Sequence, residues 1–454
     1  MPSAAIVHAA ARALALTWGL ALVVIATPAQ AQPRKDSVVL AMALEPPGLD
    51  PTAGAASAIA EVVLYNIFET LTKIQSDGST QPLLADSWTS SADLKTWTFK
   101  LKTGVKFHND QPFNAAAVKF SFERAAEQIS TNKDRGTFAH FECSSTPDAA
   151  ITLQRWESWR GAADVKLKRV TLRFISDPAA QVAALLAGDV DAFPRVSAAR
   201  SLKQFQGNQK FQVLVGASRA KTIVAMNRQR KPLHDVRVRR AIAIAIAITI
   251  DRQAVIEGSA DGFGVAIGSC YVPGTPGFVD TTAVNPYDPA QARALLQQAG
   301  VAVPLLLTMK LPPAPYARQG GEVVAAMLAK VGITVKMENI EWAQWLSGVY
   351  GGKAYDLTVI SHVEPLDFGN FARPNDYWGY ESAEFNALWA RIQATPKQDE
   401  RNALMADAQR LVARDVVSVY LYQPTWITVA NARLKGLWKD MPLLVNDLSA
   451  MAWQ

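Results

Sequence analysis

The hydrophobic pattern of this chain changes period many times, and the changes mark its elements. Ser37 to Leu44 is a nearly continuous apolar run that stops at Glu45-Pro46-Pro47-Gly48, as a strand before a forced turn would. Ile59, Val62, Val63, Ile67 and Phe68 recur at helical spacing, which predicts a helix over 58–71 with Tyr65 in it. Trp88-Thr89 and Trp97 to Leu101 alternate as a strand pair. Asn114 caps a helix over 115–126, and Asp177-Pro178 opens another that ends at Gly188. Residues 132–151 are polar and without period, so they read as a loop.

The second half has a steadier rhythm. Strands are predicted at 211–215, 222–226, 303–309, 334–339 and 357–361, with helices at 288–299 (capped by Asp288), 321–331 and 342–349. Two more helices follow at 384–394 and 399–413, then strand-like runs at 416–422 and 426–429. Strands alternating with helices of about ten residues point to βαβ units and a largely parallel sheet, hence the α/β class.

One stretch resists both periods. From Pro232 to Arg252 a basic segment becomes Ala-Ile-Ala-Ile-Ala-Ile-Ala-Ile, in which both alternating positions are apolar. That alternation does not mark a half-buried strand. With Asp235 as a cap and Ala as the best helix former, we favour a helix buried nearly all round, a strand being the alternative. At ten residues, 241–250 is too short for the ~20 that cross a bilayer.

With 454 residues the chain exceeds one ordinary core, so two lobes are expected. Apolar residues make up 49% and charged residues 19%, a globular balance. The first 31 residues carry one charge, Arg12, then an apolar run and Ala29-Gln30-Ala31, which reads as a secretory signal cleaved after Ala31. The absence of a Cys at that junction argues against a lipid anchor, and the expected location is the periplasm. Net charge is +6 with scattered basic residues, which implies no nucleic-acid partner. Cys143 and Cys270 would meet an oxidising compartment, yet the preferred reading leaves them buried or unpaired.

No G-x-S-x-G or H-E-x-x-H motif is found, and His108, His140, His234 and His362 are too far apart in sequence for a metal site. We therefore expect no catalytic residues, metal or cofactor, with a secreted hydrolase as the weaker rival class.

Several segments together resemble the solute-binding proteins of the dipeptide, oligopeptide and nickel class that serve ABC importers. They are Pro82 to Trp88, Trp97 to Phe122, Leu186 to Ala192, Pro232 to Ile242, Val272 to Phe278 and Tyr287 to Leu296. The resemblance implies a two-lobed periplasmic-binding-protein fold of the type II, peptide-binding class. Each lobe would be a mixed sheet with flanking helices: lobe I at 32–226, lobe II at 227–420, and a return to lobe I at 421–454. The chain would cross between lobes near Met226-Asn227 and near Tyr420 to Pro424 and close on a ligand at the hinge.

It also implies a monomer that binds a small peptide or peptide-like amine and delivers it to an ABC permease with its ATPase. A non-transport, chaperone-like relic of the same fold is the alternative. Ligand residues carry over only where motifs match. Glu364 and Asp367, in Ser361-His-Val-Glu-Pro-Leu-Asp-Phe-Gly-Asn-Phe371, fall where relatives hold the ligand's ammonium. Lys310 stands near the place of the relatives' carboxylate-binding arginine. Tyr65, Tyr377 and Trp378 are candidate stacking residues, and Asn227 lies at a crossing. Two departures are visible: the family's small subdomain is shortened near 128–151, with its Gly-Thr-Gly-Pro-Tyr loop absent, and 240–251 is longer by one Ala-Ile-Ala-Ile unit.

Overall fold

The structure is a computed structural model that describes residues 35–52, 56–94, 96–126, 150–155, 157–197, 199–246, 249–364 and 367–454. The first 31 residues, expected to be a secretory signal, together with Cys143, His140 and most of 128–151, lie outside the described residues. Among the described residues no helix is long and apolar enough to cross a membrane.

One strand, Ser418–Asn431, joins the two lobes. Its first residues pair antiparallel with Lys221–Met226, and Thr425 to Asn431 pair antiparallel with Phe211–Ala217. On one side the sheet continues through Leu357–His362, Leu305–Leu311 and Ile333–Asn339; on the other it continues through Ala192–Phe193, Ser37–Met42, Arg169–Phe174 and Ala150–Gln154. The chain therefore changes lobe twice, at 218–220 and at 423–424, and the two crossings are tied together. Ser218 Oγ donates to the Pro424 carbonyl at 2.6 Å, and Gln423 Nε2 donates to the Ser218 carbonyl at 2.5 Å, both buried. These pairings put Lys221–Met226 with the second lobe, so the first crossing comes a few residues before the expected Met226-Asn227.

The sheet is mixed rather than largely parallel. Parallel ladders occur where a helix crosses over, as between Leu305–Leu311 and Ile333–Asn339, while the strands at the lobe junction pair antiparallel. The two strand runs predicted near 416–429 are one strand, with Pro424 at the point where its partners change. The tail turns back onto the first lobe: Leu448 and Met451 enter its core, and Trp453 Nε1 donates to the Ser37 carbonyl at 2.9 Å.

The Ala-Ile stretch is helical as far as Ile246. Val236–Ile246 forms one helix and Thr249–Ala260 the next. Every residue from Ala241 to Ile246 is at most 3% exposed, so both faces of the alternation are core. Asp235 and Asp288 act near helix starts as expected: Asp235 accepts from Arg237 N at 2.8 Å and Asp288 from Gln291 N at 2.8 Å. The Arg237 guanidinium against Asp235 draws its carboxyl down to about 2. Two expected helices move. The one at 58–71 stops at Val63, because Tyr65 takes a φ of +66° and turns the chain. The one at 321–331 is Pro315–Ala329, started by a proline whose missing N–H costs nothing in a first turn. Gly321 inside it faces Leu311, and a Cβ there would stand 2.7 Å from that side chain.

Candidate functional site

At the junction, strands Lys221–Met226 and Leu357–His362 run antiparallel with Lys221 directly opposite His362. Opposite residues in such a pair project from the same face about 5 Å apart, so register alone brings an ammonium and an imidazole together. Beyond His362 the chain turns, and a 3₁₀ segment, Asp367–Ala372, returns Asp367 to Lys221. Lys221 Nζ lies 2.6 Å from Asp367 Oδ1 and donates to the Glu364 carbonyl at 2.6 Å. The Lys221 side chain is 4% exposed and that of Asp367 10%. This is a buried, charge-assisted pair.

His362 Nδ1 stands 3.6 Å from Asp367 Oδ2 and 3.9 Å from Glu364 Oε2. Its other nitrogen, Nε2, shares a 2.8 Å hydrogen bond with the Tyr377 hydroxyl. The Glu364 side chain is 36% exposed, and its Oε2 accepts from Val363 N at 3.1 Å. The site thus presents a solvent-reaching carboxylate backed by a buried Lys–Asp pair and an oriented imidazole. Such an arrangement suits capture of a cationic group from solvent.

The aromatic floor is buried and closely packed. Tyr377 and Trp378 are each 2% exposed; Trp378 stacks on Phe371 at 4.7 Å between centroids, and Tyr355 donates its hydroxyl to the Tyr377 carbonyl at 3.0 Å. Burial pushes the Tyr377 phenol well above its usual range and raises the Asp376 carboxyl to about 6, against the pull of the Tyr377 amide it accepts at 2.6 Å. Burial likewise raises the Cys270 thiol, which neighbours Asp367, Lys221 and Tyr420.

Of the residues singled out in the sequence, the structure brings together Glu364, Asp367 and, beneath them, Tyr377 and Trp378. Tyr377 and Trp378 are core members rather than open stacking faces. Asn227 is buried, with Nδ2 donating to the Lys353 carbonyl at 2.8 Å and Oδ1 accepting from Gln229 N at 3.1 Å. Lys310 lies on Leu305–Leu311, the strand next to Leu357–His362, and its carbonyl accepts from Thr358 Oγ1 at 2.6 Å. Tyr65 belongs to the first lobe, where its hydroxyl accepts from Ile74 N at 3.0 Å and the Lys73 ammonium lies 5.1 Å from its ring. Lys221 was missed. Its signal is a lone Lys heading the apolar strand Lys-Thr-Ile-Val-Ala-Met, a residue seldom buried without a partner.

Known proteins place this site in context. The chain is 26% identical to the dipeptide-binding protein of Escherichia coli K12, over 93% of this chain and 95% of that one. It is similar in structure to a periplasmic binding protein from Helicobacter pylori in complex with the peptide STSA, with a TM-score of 0.80, 20% identity and coverage of 92% and 98%. It is also similar to AgaA from Agrobacterium tumefaciens in complex with agropinic acid, with a TM-score of 0.82, 20% identity and coverage of 92% and 99%. Residues 79–143 and 140–364, more than half of the chain, match the family described as bacterial extracellular solute-binding proteins, family 5 Middle. The two-lobed fold with a doubly crossed junction agrees with that match, and the chain belongs to the family 5 extracellular solute-binding proteins.

Proposed function

We propose that this solute-binding protein captures a peptide or peptide-like amine between its lobes, the ligand's ammonium resting on Glu364. The observation that carries this is the placement of Glu364. Its carboxylate reaches solvent at the lobe junction, beside an Asp367 already neutralised by Lys221. A charge-assisted contact between an ammonium and such a carboxylate contributes ~1.5–3 kcal/mol. The named relatives support the chemistry, since one is a dipeptide-binding protein and another was solved with a peptide. None of them favours the relic alternative.

Lys310, near the C-terminal end of Leu305–Leu311, is the candidate for the ligand's other end. On this reading the protein works in the periplasm as a monomer after cleavage at Ala31 and hands its ligand to an ABC permease with its ATPase. The lobes are 32–220, 221–422 and a return from 423 onward, a division that follows the strand pairing.

A thermal-shift screen of the mature protein against di-, tri- and tetrapeptides and opines tests this reading. A ligand in excess over its Kd raises the melting temperature by mass action without being turned over. With the ligand so found, Glu364→Gln weakens binding at least tenfold, ~1.4 kcal/mol. No shift with any compound at millimolar concentration, or an unchanged affinity in the variant, rejects it.

A further inference from the structure

His362, Glu364 and Asp367 offer one imidazole nitrogen and two carboxylate oxygens that all lie within 4.8 Å of one another. Two ligand atoms each ~2.1 Å from a tetrahedral metal stand ~3.4 Å apart, close to the 3.6 and 3.9 Å that separate His362 Nδ1 from Asp367 and Glu364. The imidazole is also oriented as a ligand's would be, because Tyr377 holds the opposite ring nitrogen. In geometry and donor type the trio suits a divalent transition metal.

What stands against the metal is Lys221. Its ammonium is buried, fixed at 2.6 Å both to Asp367 Oδ1 and to the Glu364 carbonyl, and tied to the trio by its register opposite His362. A divalent ion on Asp367 Oδ2 would share one carboxylate with that fixed positive charge. In a buried site two such charges repel strongly.

We propose that Lys221 is the specificity-determining residue of this site: its ammonium, bound to the Asp367 carboxylate of the His362–Glu364–Asp367 set, makes the site refuse a divalent metal and accept an organic cation at Glu364. One side chain thus separates two ligand classes on one scaffold. The metal half of this inference does not depend on which organic ligand the cleft takes, and it is measured without one. It stands or falls separately from the peptide reading.

The experiment is a titration of the untagged mature protein with Zn2+ and Ni2+, followed by calorimetry and by melting temperature. Wild type and Lys221→Arg, which keeps the charge, show no saturable binding at the trio. Lys221→Met gains a single site at least tenfold tighter than any wild-type binding, and its melting temperature rises with added metal. Lys221→Gln keeps a donor for the Glu364 carbonyl and carries the same test if the Met variant does not fold. Adding His362→Ala to whichever variant binds removes the gain. The proposal is overturned if wild type binds metal as tightly as the variants, if the folded variants gain nothing, or if the gain survives His362→Ala.

Discussion

Among the described residues, two buried cations of the second lobe, Lys221 and Arg239, are satisfied in opposite ways. Arg239, 2% exposed, donates only to backbone: to the Leu233 and His234 carbonyls at 2.9 Å, Val416 at 3.0 Å and Asp415 at 3.1 Å. Those carbonyls include the end of the long helix Gln398–Arg414 and the turn before the Ala-Ile helix. Burial draws its guanidinium down to about 9, still protonated at neutral pH. Lys221 is as deeply placed, yet its main partner is a carboxylate that also faces an imidazole and lies beside a solvent-reaching glutamate. A cation that closes off carbonyls is a structural clamp. A cation that closes off one carboxylate of a cluster at the lobe junction sets what that cluster can bind.

The widest separation between the two comes from Arg239→Met. It strands several buried carbonyls at once, and we expect a loss of about 3–5 kcal/mol in denaturant unfolding with ligand affinity unchanged wherever the protein folds. A loss below 1 kcal/mol would end the clamp assignment. Lys221→Met is expected to cost less, about 2 kcal/mol, because one carboxylate oxygen and one carbonyl lose their donor where Arg239→Met strands four carbonyls. Much of that loss should vanish in Lys221→Met/Asp367→Asn, where no charge is left behind. An additive double variant would break the comparison, since no side-chain change can relieve Arg239 of its backbone partners.

The smallest expected effect sharpens the same contrast with a buried acid. Asp376 lies under the site with its carboxyl raised by burial from 3.8 to about 6. Between about pH 4 and 6 the folded state therefore binds more protons than the unfolded chain. This group's contribution favours folding below that window and is lost as pH rises through it. Asp376→Asn should raise stability by about 1–2 kcal/mol at pH 7.5 and leave it unchanged near pH 4, read from urea midpoints at the two values. A destabilised Asn variant at pH 7.5 would mean the charged form is held there by more than the Tyr377 amide.

Local chemistry was legible wherever it decides structure by itself. Asp177 accepts from Ala180 N at 2.7 Å, and Gly188 takes the left-handed φ of +78° that ends its helix, both as the sequence reads. The motif around Glu364 and Asp367 was visible too, as a match to a family pattern. What fell outside reach were contacts between distant segments. Lys221 and His362 are 141 positions apart and meet only through strand register, which no short window encodes.

The class of fold, the helix caps, the burial of Ala241 to Ile246 and the loop that carries the acidic pair are readable from the chain itself, because each follows from period, turn chemistry or a few adjacent residues. That one strand joins both lobes, that Asn227, Tyr377 and Trp378 are spent on packing and internal hydrogen bonds, and that Lys221 pairs with Asp367 emerge only from the folded chain. The physical reason is that charge compensation in a buried site acts over a few ångströms of space, whatever the separation along the chain.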